Sequence, residues 1–140
     1  MFRMDLSQIP LFAMLRGRMG YLSQRQQIVA QNVANSDTPR FQPKDLKPFS
    51  FDAQMKKQAP SGASVTHPAH IPLDRSQGGL TSGWNAVVER DSETTLDGNS
   101  VVLEEQMLKL SDARMNYDAA IGFYQKSIGL LRTAVRTPGR

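Results

Sequence analysis

The stretch Asn32-Val-Ala-Asn-Ser-Asp-Thr-Pro-Arg-Phe41 decides how the first part of this 140-residue chain folds. Asparagine tolerates the left-handed conformation that ends many helices. Thr38 is pushed out of the helical region because a proline follows it. The stretch comes directly after a helical pattern of apolar residues. We therefore expect one helix to end here and the chain to continue in an extended conformation.

The helix expected before this stretch covers about residues 11–34. Apolar residues recur there at alternating intervals of three and four, with Gln26 as the one polar member, which is typical of a coiled-coil-like face. Gly17 and Gly20 each weaken a helix by about 1 kcal/mol relative to alanine, so this helix should depend on packing against a partner. The predicted assembly seam of this helix consists of Phe12, Leu15, Met19, Leu22, Val29 and Val33.

A longer helix is predicted at the other end of the chain, from about residue 100. The alternation of threes and fours continues there for more than four heptads and includes Arg114. At 1.5 Å per residue this helix would be about 50 Å long. Its predicted assembly seam consists of Leu103, Met107, Leu110, Tyr117, Ile121, Tyr124, Ile128, Leu131 and Val135.

Polar residues suit the two ends of this second helix. Asn99 or Ser100 is placed to cap its start, and Glu104 and Glu105 favour the positive end of the helix dipole. Arg132 and Arg136 favour the other end, before Pro138 and Gly139. Adjacent glutamates on a helix point about 100° apart, so we interpret this pair as helix charges and not as an acid-base pair.

The segment between the helices, residues 42–99, is predicted to be loop-rich. It holds five of the eight prolines and several Gly/Ser clusters. The short elements expected in it are an apolar patch or helical turn at Phe49, Phe51 and Met55 and a brief strand at Trp84, Val87 and Val88.

These elements predict a mainly α protein of one structural domain. Its segments are residues 1–41, 42–99 and 100–140. Each helix would leave an apolar face in water, so the two most simply pack on one another and on neighbouring subunits. Ordering the backbone costs about 1–2 kcal/mol per residue, so two lone helices gain little, and subunit contacts should supply the remaining stability.

Composition excludes several classes of protein. The net charge of +4 comes from 17 basic and 13 acidic residues that are scattered, without the dense basic cluster of a nucleic-acid binder. The chain has no cysteine, so it forms no disulfide. No apolar run approaches the roughly 18 residues of a membrane span. Asp5 and Pro10 interrupt the apolar region that a cleavable signal peptide needs.

Candidate catalytic and metal-binding residues are few. His67 and His70 offer two imidazoles, but a closed zinc site takes four ligands, and Pro68 prevents the helical presentation that places two histidines on one face. Nucleophile elbows and phosphate-binding loops are also missing from the sequence. We therefore predict a protein that is not an enzyme and that has no cofactor or metal.

Aromatic residues on the second helix have two explanations. Tyr117, Phe123 and Tyr124 could stack on the bases of a nucleic acid. Helix packing is favoured because Tyr117 and Tyr124 lie on the heptad pattern, while Phe123 beside it would widen the face toward a second subunit.

The Asn32–Phe41 stretch resembles the signature of the bacterial flagellar rod and hook proteins, Asn-x-Ala-Asn-x-x-Thr-Pro-Gly-Tyr. Arg40 stands where that family has glycine, and Phe41 replaces its tyrosine while keeping an aromatic ring. The matching residues are Asn32, Ala34, Asn35, Thr38 and Pro39.

Further matches along the chain resemble the proximal-rod members of that family. They lie upstream of the signature, downstream of it and near the start of the second helix. The matching residues are Leu22, Arg25, Val29 and Asn32; Asp45, Leu46 and Phe49; Thr66, His70 and Ile71; and Asp97, Gly98, Asn99, Val101, Glu104, Glu105 and Met107.

The resemblance implies a structural subunit of the flagellar basal-body rod whose two helices pair as an antiparallel coiled coil. Such subunits assemble helically into a hollow drive shaft that transmits torque from the motor to the hook and encloses the export channel. Implied partners are other copies of the chain, other rod subunits, the adapter FliE between rod and membrane ring, and the flagellar type III export apparatus. The implied location is the periplasmic rod, reached without a cleaved signal.

Phe2 and Leu6 have the Phe-x-x-x-aliphatic spacing that resembles the N-terminal motif of flagellar export substrates. A hydrophobic staple at the start of the first helix explains them equally well.

A different class of function is a cytosolic helical adaptor that binds nucleic acid or an acidic partner. The basic balance of the chain and Arg132, Arg136 and Arg140 favour it, although it has no motif. Strongly salt-dependent binding to DNA would distinguish this alternative.

Overall fold

A computed structural model describes residues 9–52 and 84–135 of the chain. In these residues two long helices lie along each other, and a two-stranded sheet packs beside the first helix. The elements, in chain order, are α1 (Pro10–Ala34), β1 (Lys44–Leu46), β2 (Ala86–Val88) and α2 (Leu103–Val135).

The two helices run antiparallel. Near the start of α1, the ring of Phe12 meets the ring of Tyr124 edge to face, with 5.3 Å between centroids. Near the end of α1, Asn32 bonds to Gln106 in the first turns of α2. The mainly α, antiparallel helix pair is therefore confirmed. Because α2 has 33 residues and α1 has 25, the last two turns of α2 extend past the described start of α1.

The helix ends follow the predicted residues in part. Pro10 begins α1 because its fixed φ and missing N–H suit a first helical turn. Glu104 and Glu105 lie in the first turn of α2, and Arg132 lies in its last. The predicted cap at Asn99 or Ser100 is wrong, because α2 begins only at Leu103 and the side chain of Asn99 is engaged elsewhere.

The sheet pairs β1 and β2 in antiparallel register. Asp45 lies opposite Val87, at the centre of three residue pairs. The brief strand predicted at Val87 and Val88 is confirmed, whereas Trp84 precedes it. Strand β1 was not predicted, because three residues are too few to show an alternating pattern.

The apolar core forms where the sheet and both helices meet. Aromatic rings cover one side of this core. The ring centroid of Tyr21 lies 5.4 Å from that of Phe49 and 5.7 Å from that of Trp84. A side chain at Gly20 would lie 3.1 Å from the Trp84 ring, so glycine leaves room for the indole. The buried residues of this cluster are Tyr21, Leu22, Ile28, Leu46 and Ala113.

The middle segment therefore contributes more to the core than its loop-rich composition suggests. Phe49 and Phe51 form the predicted apolar patch, with 5.0 Å between ring centroids, while Met55 lies outside the described residues. Among the described helices, none combines the length and the apolar character that a membrane crossing requires.

Candidate assembly site

Helix α1 ends at Ala34, as the sequence predicted, and Asn35 caps it. The backbone N–H of Asn35 still donates to the carbonyl of Gln31, and its side-chain Nδ2 donates to the same carbonyl at 2.7 Å. The Thr38 hydroxyl then donates to Asn35 Oδ1 at 3.2 Å. Asn35 and Thr38 therefore satisfy backbone and side-chain groups that a helix end would otherwise leave open.

A tight turn follows at Thr38–Phe41. The N–H of Phe41 donates to the carbonyl of Thr38 at 3.2 Å, and Arg40 has a φ of 59°. With Pro39 at the second position, this is the arrangement of a type II turn, which favours glycine at the third position. The turn forms even though Arg40 replaces the family's glycine. Gly98 makes room for this residue, since a Cβ on Gly98 would lie 3.1 Å from Arg40 Cγ.

Asn99, which lies just before α2, bonds the turn to the segment that leads into that helix. Its Nδ2 donates to the carbonyl of Asn35 at 3.0 Å and to that of Thr38 at 2.7 Å. Beside it, the N–H of Arg40 donates to the carbonyl of Asp97 at 3.1 Å. Two stretches that match the rod family, Asn32–Phe41 and Asp97–Asn99, are thus in direct contact.

Asn32 joins α1 to both β1 and α2. Its Nδ2 donates to the carbonyl of Lys44 at 2.7 Å and to Gln106 Oε1 at 2.9 Å. Its Oδ1 accepts the N–H of Lys44 at 3.0 Å. The residue is only 2% exposed, so these bonds replace water completely. The Asn32 amide thereby bonds one edge of β1 much as a neighbouring strand would.

Gln106 continues the network to Asp91. The Gln106 side chain is fully buried, and its Nε2 donates to both carboxylate oxygens of Asp91, at 3.0 and 2.8 Å. Asp91 also accepts the N–H of Val102 at 2.9 Å and Lys109 Nζ at 3.2 Å. Burial favours a higher pKa for Asp91, but these donors outweigh it and lower the pKa of its carboxyl group. We call Asn32, Asp91, Asn99 and Gln106 the polar clamp.

A second polar contact lies nearer the middle of the helix pair. Arg25 donates two parallel hydrogen bonds to Asp45, at 2.9 and 2.8 Å, and its Nη1 lies 3.6 Å from Asp112 on α2. The hydrogen bonds with Asp45 raise the pKa of the Arg25 guanidinium, so it stays charged. Arg25 and Asp45 match the rod family separately, and here they form one ion pair.

The predicted seam of α1 lies on its contact face. Phe12, Leu22 and Val29 are buried, and Leu15, Met19 and Val33 are half-buried. The buried surface is wider than the seam, because the sheet and the aromatic cluster cover a second side of α1. The further buried residues are Ala13, Gly17, Tyr21, Ile28 and Asn32.

The face of α2 that meets α1 differs in part from the predicted seam. Its buried residues are Gln106, Ala113 and Ala120. Of the predicted seam, Leu110, Tyr117, Ile121, Tyr124, Ile128 and Leu131 are half-buried, whereas Leu103, Met107 and Val135 are exposed. The part of the exposed members in contacts between subunits stays a prediction.

Several predicted residues fall outside the described part of the chain. They are Phe2 and Leu6 of the export motif, the patch at Thr66, His70 and Ile71, the other histidine His67, and Arg136 and Arg140. Of the remaining signature residues, Ala34 and Pro39 are exposed and Phe41 is half-buried.

The polar clamp is what the sequence did not predict. Gln106 and Asp91 carry no motif. Asn32 and Asn99 were identified as family matches and as residues at helix ends, but not as partners in one contact. The bonds from Asn32 to Gln106 and from Asn99 to Asn35 join residues more than 60 positions apart, which spacing alone does not reveal. One feature of the sequence could have indicated this contact. Each of the two asparagine-containing stretches lies at a helix end, and an antiparallel pairing of the helices brings these two ends together.

Comparison with known proteins identifies the class to which this arrangement belongs. Residues 14–42, which include most of α1 and the signature turn, match the family model described as flagella basal body rod protein. The matched stretch contains Asn32 and Asn35, both of which take part in the contacts with α2 and the turn before it.

Individual relatives extend the match over most of the chain. The chain is 35% identical over 120 residues to the flagellar basal body rod protein FlgB of Agrobacterium fabrum, covering 81% of this chain and 84% of the relative. It is 28% identical to FlgB of Proteus mirabilis over 76% of this chain and 79% of the relative. Identity to FlgB of Salmonella typhimurium is 27%, over 71% and 73%. The chain belongs to the FlgB family of flagellar basal body rod proteins, which are structural components and not enzymes.

Proposed function

We propose that this chain is a structural subunit of the proximal rod, which assembles helically into the hollow drive shaft of the flagellum. In this role it would transmit torque toward the hook and enclose the export channel. The observation that carries the proposal is the polar clamp, because it joins the family signature on α1 to the start of α2. FlgB relatives supply the basal-body context.

The contacts in the helix pair suit a load-bearing part. Torque loads subunits in shear, and a purely apolar contact has little directional resistance to sliding. Hydrogen bonds and bidentate ion pairs fix one register, because a shift of one residue breaks all of them. The polar clamp joins the end of α1 to the start of α2. Nearer the middle of the pair, Arg25, which Asp45 of β1 holds in place, lies 3.6 Å from Asp112 of α2, so polar contacts resist sliding at two levels.

The proposed partners are other copies of the chain, other rod subunits, FliE and the type III export apparatus. Export without a cleaved signal would use the segment around Phe2 and Leu6. A cytosolic adaptor for nucleic acid has less support, since residues 9–52 and 84–135 carry eleven basic and eleven acidic side chains. That balance gives the helix pair no net attraction for a polyanion.

Replacing Ile121 in the predicted seam tests this function. In a strain of the native bacterium whose own copy is deleted, the wild-type chain should restore swimming and rod assembly. Ile121→Asp should not, because it puts a charge into a half-buried apolar contact. Rod assembly is measured by counting purified basal bodies in electron micrographs.

The matched control is Ser111→Asp, which adds the same charge at an exposed position of α2. It should restore rods like the wild type. Normal rods in the deletion strain itself would contradict the proposed function. Normal rods in the strain that carries Ile121→Asp would contradict only the assignment of Ile121 to the assembly seam.

A further inference from the structure

Helix α2 has a second apolar face whose large side chains are mostly exposed in the described part of the chain. Leu108, Met115, Phe123 and Leu130 are 76%, 67%, 64% and 63% exposed. At about 100° per residue, the four lie within about 80° of one another and to one side of the buried residues Gln106, Ala113 and Ala120. Large apolar side chains that follow one face in this way typically mark an interaction surface.

The sequence of this face is symmetric about Ala119. Leu108 and Leu130 lie eleven residues on either side of it, and Met115 and Phe123 lie four residues on either side. Between Leu108 and Leu130, the two charged residues of the face obey the same symmetry with opposite signs. Asp112 and Lys126 lie seven residues before and after Ala119.

We propose that two copies of this chain pair through this face of α2, antiparallel, about a twofold axis at Ala119. An isologous contact of this kind must be complementary to itself, and this face is. Leu108 of each copy packs on Leu130 of the other, Met115 packs on Phe123, and Asp112 faces Lys126 twice.

Other pairings of the same face fit less well. A parallel, in-register pairing would place Asp112 against Asp112 and Lys126 against Lys126, and such like charges repel. The antiparallel pairing turns both repulsions into attractions. The small Ala119 at the crossing point and the unobstructed Gly122 beside it let the two helices approach closely.

Both charged side chains keep exposed surface with which to contact a second copy. The Asp112 side chain is 58% exposed even though Arg25 lies 3.6 Å from it, and Asn116 of the next turn donates to it at 3.0 Å. Lys126 is exposed. Both can therefore reach a second copy without breaking the helix pair of their own chain.

The proposed antiparallel dimer differs from the contacts that copies of the chain would make inside the rod. Copies in a polar helical assembly all point in one direction, whereas copies related by a perpendicular twofold axis point in opposite directions. The dimer therefore keeps the outer face of α2 covered while the chain is outside the rod. The inference does not rest on the proposed function, because it is tested on the purified chain.

A single introduced cysteine tests the axis, since the chain has none of its own. In the full-length chain, Ala119→Cys places two thiols next to each other at the twofold axis. Mild oxidation should then produce a disulfide-linked dimer. The matched control is Thr133→Cys, which is exposed on the same side of α2 but lies far from the axis. It should cross-link severalfold less.

Equal cross-linking of the two variants at equal concentration would overturn the proposed axis. The wild-type chain, which forms no disulfide, should also sediment at twice its monomer mass of 15.6 kDa at high concentration. A wild-type chain that stays monomeric would overturn the dimer itself.

A charge exchange tests the register independently. Lys126→Asp should weaken dimerisation, because the carboxylate that it introduces in one copy would face Asp112 of the other. Adding Asp112→Lys to it should restore the dimer by exchanging the two charges. Asp118→Lys, on an exposed position to the side of the face, serves as the control. A double variant that is helical by circular dichroism and yet monomeric would contradict the register.

Discussion

Asn32 links three of the four described elements through hydrogen bonds. It belongs to α1, its amide bonds both backbone groups of Lys44 in β1, and it also bonds Gln106 in α2. An apolar residue there would fill the space but could not satisfy these buried groups. The signature asparagine therefore fixes how three elements meet, in addition to its position near the helix end.

Removing the Asn32 amide should destabilise the fold. Asn32→Ala removes the partner of Gln106 Oε1, which is fully buried, and of the part-buried backbone groups of Lys44. Each lost buried partner costs about 1–3 kcal/mol, so the free energy of unfolding should fall by about 2–4 kcal/mol. Urea unfolding followed by circular dichroism measures it. Gln27→Ala, at an exposed position of α1, is the control, and an equal loss in both variants would show that the Asn32 bonds contribute nothing.

Asp91 makes the fold sensitive to acid. Its pKa is lowered in the folded chain, so its contribution to stability is present above the unfolded value of about 3.9 and is lost as pH falls through the lower, folded value. Stability should therefore fall below about pH 4.

Asp91→Asn separates this effect from general acid unfolding. The variant should be less stable than the wild type at pH 7, because the bond with Lys109 loses its charge assistance. The difference between the two proteins should shrink toward pH 3, which urea unfolding at several pH values measures. A difference that stays constant over this range would mean that Asp91 does not titrate in the folded chain with a lowered pKa.

At the scale of elements, the sequence predicts the helices well and their contact less well. Both helices carry long three-four patterns, and the mainly α fold follows from these. The contact face of α2 differs because Ala113, Ala120 and Gln106, which are buried, are small or polar and do not enter an apolar pattern. The polar clamp was not predicted either. Its residues also lie outside the apolar pattern, and its bonds between the helices depend on partners that are distant in sequence.

The small residues of α2 set the distance between the helices. Ala113 has no exposed surface and lies in the core cluster against α1. Ala113→Leu should lower the free energy of unfolding by about 1–3 kcal/mol, because the added atoms overpack the contact. Ala134→Leu, exposed near the end of α2, should change it by less than about 0.5 kcal/mol. Thermal unfolding of the two variants measures this, and an unchanged melting temperature for Ala113→Leu would contradict the close contact.

At the scale of the whole molecule, the described residues form an elongated pair of helices whose register is fixed by polar contacts. Their outer surface keeps large apolar side chains exposed, among them Met107, Met115 and Phe123. Such a molecule is better suited to joining neighbours than to acting alone. Its membership of the FlgB family and its geometry thus lead to the same role, a building block of the flagellar rod.

The most direct test of this account is the position of the chain in the basal body. A tagged copy, expressed in its own flagellated bacterium, is followed through detergent extraction of basal bodies and located by electron microscopy. The account predicts that the tagged chain co-purifies with the basal bodies and lies in their proximal rod. A normally expressed chain that is absent from basal bodies would contradict it.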